Sequence, residues 1–275
     1  MKVLFLDAYN LIYRAKSGFT KGDNPVIFNF FRGIRPLVEK FNPDLVYFVL
    51  EGKPQHRIDI SGESYKAGRP SSTDSFHRQK ASIISACKTY MPFVTVRHPN
   101  FECDDVIATY VSKHANRGDQ CIIISSDTDF IQLLNLFDII LYNPIKKKII
   151  EKPDYDYVTW KALRGDPTDN IPGIPRVGDK TAFRLVKDEA LFKEFLHDDS
   201  KKLIFERNVN LIRLVDLGSR MDEMELSSST FKEKELHQYF NDLEFKTMLK
   251  ETTWNKYIKT FNTLMENINA TSAKR

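Results

Sequence analysis

Long apolar runs are missing from this chain. None approaches the roughly 20 residues needed to cross a bilayer, so no membrane-spanning helix is expected. The N-terminal stretch MKVLFLDAYNLIYRAK is interrupted by Asp7 and followed by no small-residue cleavage site, so it reads as a strand and not as a signal peptide. Cysteine is scarce as well. Cys87, Cys103 and Cys121 show neither metal-ligand spacing nor a pairing pattern, which argues against a disulfide framework and suits a reducing compartment such as the cytoplasm. The six histidines (His56, His77, His98, His114, His197 and His237) form no H-x-x-x-H set and read as surface or packing residues, with His56 and His77 as further phosphate contacts. There is no internal repeat, low-complexity tract or obvious flexible linker. What remains is an ordinary globular composition, 41% hydrophobic and 28% charged, long enough at 275 residues for one large domain or two.

Acid is abundant in particular places. Nine carboxylates stand at the ends of apolar runs or at helix starts: Asp7, Glu51, Glu102, Asp104, Asp105, Asp127, Asp129, Asp166 and Asp169. VLFLD ends at Asp7, VYFVLE at Glu51 and CIIISSD at Asp127. An acid that ends a buried strand makes sense at the carboxyl edge of a parallel sheet, where such folds place their sites. Carboxylates that converge there repel unless they are protonated or joined by a hard divalent cation, and Mg²⁺ prefers oxygen ligands. The pattern points to a metal-dependent hydrolase. Without these nine, 28 Asp and Glu remain against 41 Lys and Arg. A basic body around an acidic metal pocket suggests a polyanionic substrate.

The first half alternates Val/Ile-rich strands (KVLFLDA, DLVYFVLE, FVTVRHP, QCIIISSD, DIILYN) with helical segments, which predicts an α/β fold with a mostly parallel sheet flanked by helices. Residues 53–82 break the rhythm. They lack a clear strand and carry Lys53, Arg57, Lys66, Arg69, Arg78 and Lys80, with Tyr65 and Phe76 between them. After about residue 160 the strands stop and the chain reads as helical. The expected division is an α/β core over 1–170, including the basic insertion at 53–82, followed by a helical region over 171–275.

Three motifs carry chemistry. FECDD (101–105) opens a helix and places Glu102 and Asp105 on one face; acids in a first turn also suit the helix dipole on their own. SSDTDF sets Asp127 and Asp129 directly after a strand, where an N-cap role competes with metal binding. GDPTDNIPGIPRVGDKTA (165–182) is the most specific. Asp166 and Asp169 flank a proline turn, and the G-I-P-R-V-G turn that follows feeds a helix and would expose backbone N–H groups to phosphate, as in a helix-hairpin-helix clamp over 173–187.

In order along the chain, LDAYNLIYR, YKAGRP, FECDD, SSDTDFIQLL and GDPTDNIPGIPRVGDKTA resemble the 5′-nuclease or flap-endonuclease family, over roughly residues 2–185. That family includes the 5′-3′ exonuclease domain of bacterial DNA polymerase I and stand-alone phage enzymes. The resemblance implies a PIN-like nuclease core with a helical arch. It implies two Mg²⁺ ions, with Mn²⁺ as a substitute, held by the nine acids: Asp7, Glu51, Glu102 and Asp104 mainly on one, Asp127, Asp129, Asp166 and Asp169 mainly on the other, and Asp105 acting through water. Glu51 stands where an aspartate is usual. Lys66 and Arg69 would place charge on the scissile phosphate, and Tyr65 would stack on an unpaired base. Arg57, Gly173, Arg176, Gly178, Lys180 and Thr181 would contact DNA, with K⁺ in the hairpin turn. The implied substrate is DNA with a 5′ flap or a 5′ end at a duplex junction, and RNA primers in RNA/DNA hybrids. The implied setting is replication or repair, as a monomer in the cytoplasm (that of the host, for a phage protein), with a polymerase or single-strand binding protein acting in trans. A PIN-type ribonuclease, or a junction-binding protein without catalysis, is the alternative.

Overall fold

Residues 1–18, 22–62, 65–67 and 71–273 are described by the structure, a computed structural model. Arg69, expected in the site, lies outside the described residues. Strand β1 (Lys2–Asp7) is buried from Val3 onward, because VLFL offers nothing polar to turn outward. Asp7 ends the strand and caps helix α1 (Ala8–Lys16), accepting the Asn10 N–H at 3.0 Å. Helix α2 (Pro25–Phe41) begins on a proline and stops at Asn42 in the left-handed conformation. Then come β2 (Leu45–Val49), α3 (Gln55–Ser61), α4 (Asp74–Tyr90), β3 (Val94–Arg97), α5 (Cys103–Ala115), β4 (Gln120–Ile124), α6 (Ile131–Leu136), β5 (Ile140–Asn143) and β6 (Lys148–Ile149).

The chain next builds α7 (Tyr157–Arg164), a small antiparallel pair β7 (Gly165–Asp166) and β8 (Ile171–Pro172), and helices α8 (Asp179–Lys187), α9 (Glu189–Phe195) and α10 (Asp199–Ile212). It closes with β9 (Glu225–Ser228), α11 (Glu233–Asp242) and α12 (Glu251–Ser272).

The main sheet runs β6-β5-β4-β1-β2-β3-β9. Its five inner strands are parallel, and the edge strands β6 and β9 are antiparallel. From β1 the chain moves outward to β2 and β3, then returns to β4 on the opposite side. The strand order therefore reverses between β1 and β4, and ligands of open α/β sheets bind outside the carboxyl ends at such a point. Asp7 and the Ser125–Asp127 segment lie there.

One sheet face packs on α1, α2, α4, α11 and α12, with Phe31, Phe48, Phe240, Tyr257 and Phe261 buried together. The other packs on α5 and α6 through Phe5, Val106, Ile107, Phe130 and Leu133. The expected division near residue 170 does not match this packing. β9 pairs with β3, and Leu236, Phe240, Trp254, Tyr257 and Phe261 belong to the same core as β1 and β2. Among the described residues, the segment from α7 to α10 packs into smaller clusters, one around Ala162, Ile171 and Leu211 that also takes in Tyr65 and Ile60, and one around Leu163, Ile174 and Leu185. No helix among the described residues is long and apolar enough to cross a membrane.

Candidate metal centre and nucleic-acid surface

Two groups of ligand atoms gather at the carboxyl edge. Asp7, Cys103 and Asp104 form one, and Asp129, Asp166 and Asp169 the other, the atoms of each lying within 4.8 Å of one another. Asp127 lines clefts with both: one cleft with Asp7, Glu51, Lys66 and Asp104, another with Asp129, Asp166 and Asp169.

The first group is placed by the sheet. Asp7 Oδ2 accepts the Ser125 hydroxyl at 2.7 Å, and the Asp127 N–H donates to Ser125 Oγ at 3.0 Å. Asn10 Oδ1 accepts from Ser126 N–H at 3.0 Å, so α1 and the β4 terminus are tied together. Burial raises the Asp7 carboxyl to about 6, against the opposing bonds from Ser125 and Asn10, with the Asp127 charge adding to the rise. Burial and then Glu102 raise Glu51 to about 7. Asp104 is pushed well above the ordinary carboxylate range, by burial first and by Asp127, Asp7 and Glu51 after it.

In the second group an internal cation intervenes. Lys161 of α7 is buried; its ammonium bonds Asp129 and lies 2.6 Å from Asp166. Burial still raises Asp129 to about 6, with Lys161 opposing. For Asp166 burial is outweighed by the Lys161 hydrogen bond and charge, and the carboxyl falls below its usual range. Burial alone would lower the Lys161 ammonium, but Asp129, with Tyr157 and Asp166, raises it on balance. Sequence reading missed Lys161. Its signal was present: Tyr157, Val158, Lys161 and Ala162 form one buried helix face, and a lysine on such a face needs acid partners.

Between the groups lies a third constellation. Lys66, at φ +58°, is held in the left-handed region and its N–H donates to the Asp169 carbonyl at 3.3 Å. Its ammonium bonds Glu102 and stands 3.6 Å from Asp169. Burial would lower this ammonium, but Glu102 and Asp169 raise it, so it stays charged.

Three expectations need correction. Arg57 is not an exposed DNA contact. It is buried, forms a bidentate pair with Asp105 at 2.6 and 2.9 Å, meets Glu102 at 2.8 Å and donates to the Leu211 carbonyl at 2.9 Å. Asp105 is accordingly no water-mediated ligand: it is fully buried, paired with Arg57, and accepts the Val215 N–H at 2.9 Å. The basic arch composition had suggested otherwise, but α3 turns Arg57 inward to join α5 to the end of α10. Tyr65 is buried, not offered for stacking, and its hydroxyl donates to Glu102 at 3.0 Å and Asp169 at 3.2 Å. Glu102 thus faces three donors, Arg57, Tyr65 and Lys66.

The two clamp glycines also differ. A Cβ at Gly173 would lie 2.1 Å from the Arg164 carbonyl, so this glycine lets the turn pack on the end of α7 and is not held open for phosphate. Gly178 is exposed at the start of α8 with open space where a Cβ would sit. Arg176 and Lys180 are exposed beside it, and Thr181 is half-buried.

A divalent cation fits this donor set. Buried carboxyls held up by burial and by one another are a site short of positive charge, and oxygen donors converge from several elements.

Known proteins agree with this geometry. Residues 2–161 match the family described as 5′-3′ exonuclease, N-terminal resolvase-like domain. A 5′-3′ exonuclease of Aquifex aeolicus is 28% identical over 286 residues, covering 91% of this chain and 95% of that protein. A thermostable DNA polymerase I of Thermus filiformis is 30% identical over 278 residues, which are 91% of this chain but 33% of the polymerase, so the chain spans about a third of that relative's length. The fold is shared with a flap endonuclease of bacteriophage T5, solved as a pseudo-enzyme-product complex with DNA and metal ions, at a TM-score of 0.65 and 20% identity, covering 80% of this chain and 90% of that one. With a family match over more than half its length, this chain belongs to the 5′-3′ exonuclease family.

Proposed function

We propose that the chain is a structure-specific 5′ nuclease, a 5′-3′ exonuclease and flap endonuclease that hydrolyses phosphodiesters of DNA and of RNA primers in RNA/DNA hybrids. The observation that carries this reading is the pair of neighbouring acidic clefts, one with Asp7, Glu51 and Asp104 and one with Asp129, Asp166 and Asp169, that share Asp127, with Lys66 lining the first. Two Mg²⁺ ions, or Mn²⁺ in their place, would be held by Asp7, Glu51, Asp104 and Asp127 on one side and by Asp127, Asp129, Asp166 and Asp169 on the other. Such ions supply an activated water and neutralise charge on phosphate.

The protein's own groups do the rest. The Ser125 hydroxyl holds Asp7 Oδ2 and the Asp129 N–H holds Asp127 Oδ1, so these oxygens need little reorganisation. Tyr65 and Arg57 hold Glu102, and Glu102 holds the Lys66 ammonium at the cleft. A cation so placed stabilises charge that grows on the scissile phosphate in the transition state. The exposed Arg176, Gly178 and Lys180 would grip duplex phosphates without reading bases, with K⁺ in the 173–178 turn. A junction between this surface and the cleft would select a duplex with a free 5′ end. Action as a monomer in the cytoplasm, in replication or repair and with a polymerase or single-strand binding protein in trans, completes the proposal.

The test is cleavage of a 5′-flap DNA by wild type and Asp169→Asn, with affinity measured separately in Ca²⁺. Metal-dependent cutting by wild type, lost in the variant while flap binding persists, is expected. Binding without cutting by wild type would leave a junction-binding protein, and a preference for single-stranded RNA would leave a ribonuclease.

A further inference from the structure

The three cysteines have no metal-ligand spacing in the sequence, yet one of them is brought into the centre. Cys103 is the first residue of α5 and is buried. Its Sγ lies 3.4 Å from Asp7 Oδ1 and 3.5 Å from Asp104 Oδ1, and its N–H faces Glu51 Oε2 at 3.4 Å. For a tetrahedral ion with a metal–sulfur bond of about 2.3 Å and a metal–oxygen bond of about 2.0 Å, sulfur and oxygen ligands sit about 3.5 Å apart. The observed separations are already those of two edges of such a coordination sphere. We propose that Cys103 is a direct ligand for thiophilic divalent ions, Zn²⁺ and Cd²⁺, together with Asp7 and Asp104. This rests on the metal-centre reading above and adds to it a ligand that the oxygen-only set lacks.

The chemistry gives the thiol two states. Without an ion the thiol is an S–H that donates to the Asp7 carboxylate, Sγ to Oδ1 3.4 Å. Mg²⁺ takes oxygen and leaves the thiol protonated beside it. Zn²⁺ and Cd²⁺ take sulfur: the S–H bond breaks, its proton leaves to solvent, and its electron pair forms the sulfur–metal bond, with no change in oxidation state. The same cleft then holds Mg²⁺ through oxygen alone and Zn²⁺ through oxygen and sulfur. Zn²⁺ should therefore outcompete Mg²⁺ in this group by more than the carboxylates alone would give. Cys87 and Cys121 are also buried, but neither approaches a carboxylate group of the cleft; Cys121 Sγ faces the Val111 and Asp119 carbonyls.

The experiment titrates Cd²⁺ into the metal-free full chain and follows the ultraviolet thiolate-to-Cd²⁺ charge-transfer band. Wild type, Cys103→Ala and Cys103→Ser are compared, and Zn²⁺ and Mg²⁺ affinities are measured by calorimetry. Cys87 and Cys121 stay in every sample as internal controls. The expected result is one thiolate's worth of band in wild type and none in either variant. Zn²⁺ affinity should fall by about 10–100-fold in both variants, the scale that even an outer-shell partner commands, while Mg²⁺ affinity changes little. Retained Mg²⁺ binding shows that each variant is folded. Cd²⁺ binding with no band, or with a band that survives in Cys103→Ala and Cys103→Ser, overturns the thiolate ligand and leaves the metal centre standing. Failure of wild type to bind Cd²⁺ or Mg²⁺ at all overturns the centre and the inference with it.

Discussion

The two carboxylate groups of the cleft are close neighbours but are neutralised in different ways. Asp129 and Asp166 share the buried ammonium of Lys161. Among the described residues, no lysine or arginine forms an ion pair with Asp7, Glu51 or Asp104; Lys66 bonds Glu102 instead. The titration behaviour follows. Asp166 falls below its usual range because Lys161 outweighs burial, Asp129 rises to about 6 with the same ammonium opposing, and Asp7, Glu51 and Asp104 are pushed up with no lysine or arginine paired to them. The comparison teaches that one group is partly paid for by the protein, while the other depends on an ion or on protons from solvent.

The largest expected effect comes from removing charge on the uncompensated side. Asp104→Asn should lower cleavage of a 5′-flap DNA by about 10³-fold or more, at the upper end for loss of one preorganised electrostatic group. Flap affinity in Ca²⁺ should change little. Near-wild-type turnover would remove Asp104 from the centre.

Next comes the internal cation. Lys161→Ala leaves the half-buried Asp129 and the buried Asp166 without their shared cation, which should destabilise the metal-free protein by about 3 kcal/mol. Urea unfolding in chelator measures this, and added Mg²⁺ should restore most of the loss. Lys66→Ala should do the reverse. Its side chain is 18% exposed, so stability should suffer less, while single-turnover cleavage should drop by about 10²-fold. Equal stability losses from the two lysines, with and without Mg²⁺, would erase the distinction between the groups.

A smaller effect should appear with pH. Glu51 at about 7, and Asp7 and Asp129 at about 6, lie above their unfolded values, so the folded state binds more protons than the unfolded chain. Their contribution to stability is fully present below the unfolded pKa and is lost as pH rises through 6 and 7. An ion that takes the deprotonated carboxylates reverses this loss. The difference in Tm between samples with Mg²⁺ and with chelator should therefore widen from about pH 5 to about pH 7.5. A gap independent of pH would mean that these carboxyls are not what the ion binds.

The smallest effect lies outside both groups and serves as a control on them. Lys180→Ala should reduce the salt dependence of duplex binding by about one unit of slope, as for one lost phosphate contact. Ion affinity should stay unchanged. No change in slope would take Lys180 off the duplex surface.

The five parallel strands and the acids at their ends were legible in the sequence, because a strand buried on both faces must be a continuous apolar run. VLFLD and CIIISSD are such runs, and the acid that closes each is conspicuous against them. The two edge strands were not legible: Lys148–Ile149 and Glu225–Ser228 are short and exposed, so no apolar pattern marks them. The stripe Trp254, Tyr257, Phe261 and Leu264 spaces one apolar face along α12, but periodicity cannot say which core receives it. The same limit held in the site. Composition named the acids and the basic residues near them, yet which cation meets which acid depends on how helices pack. Tertiary structure alone turned Arg57 inward to Asp105 and Tyr65 onto Glu102, placed Lys161 between Asp129 and Asp166, and set Cys103 beside Asp7 and Asp104. Charge and burial are local properties of a residue type, whereas pairing is a matter of distance, and distances across 32 residues of chain from Lys161 to Asp129, or 96 from Cys103 to Asp7, exist only once the fold has closed.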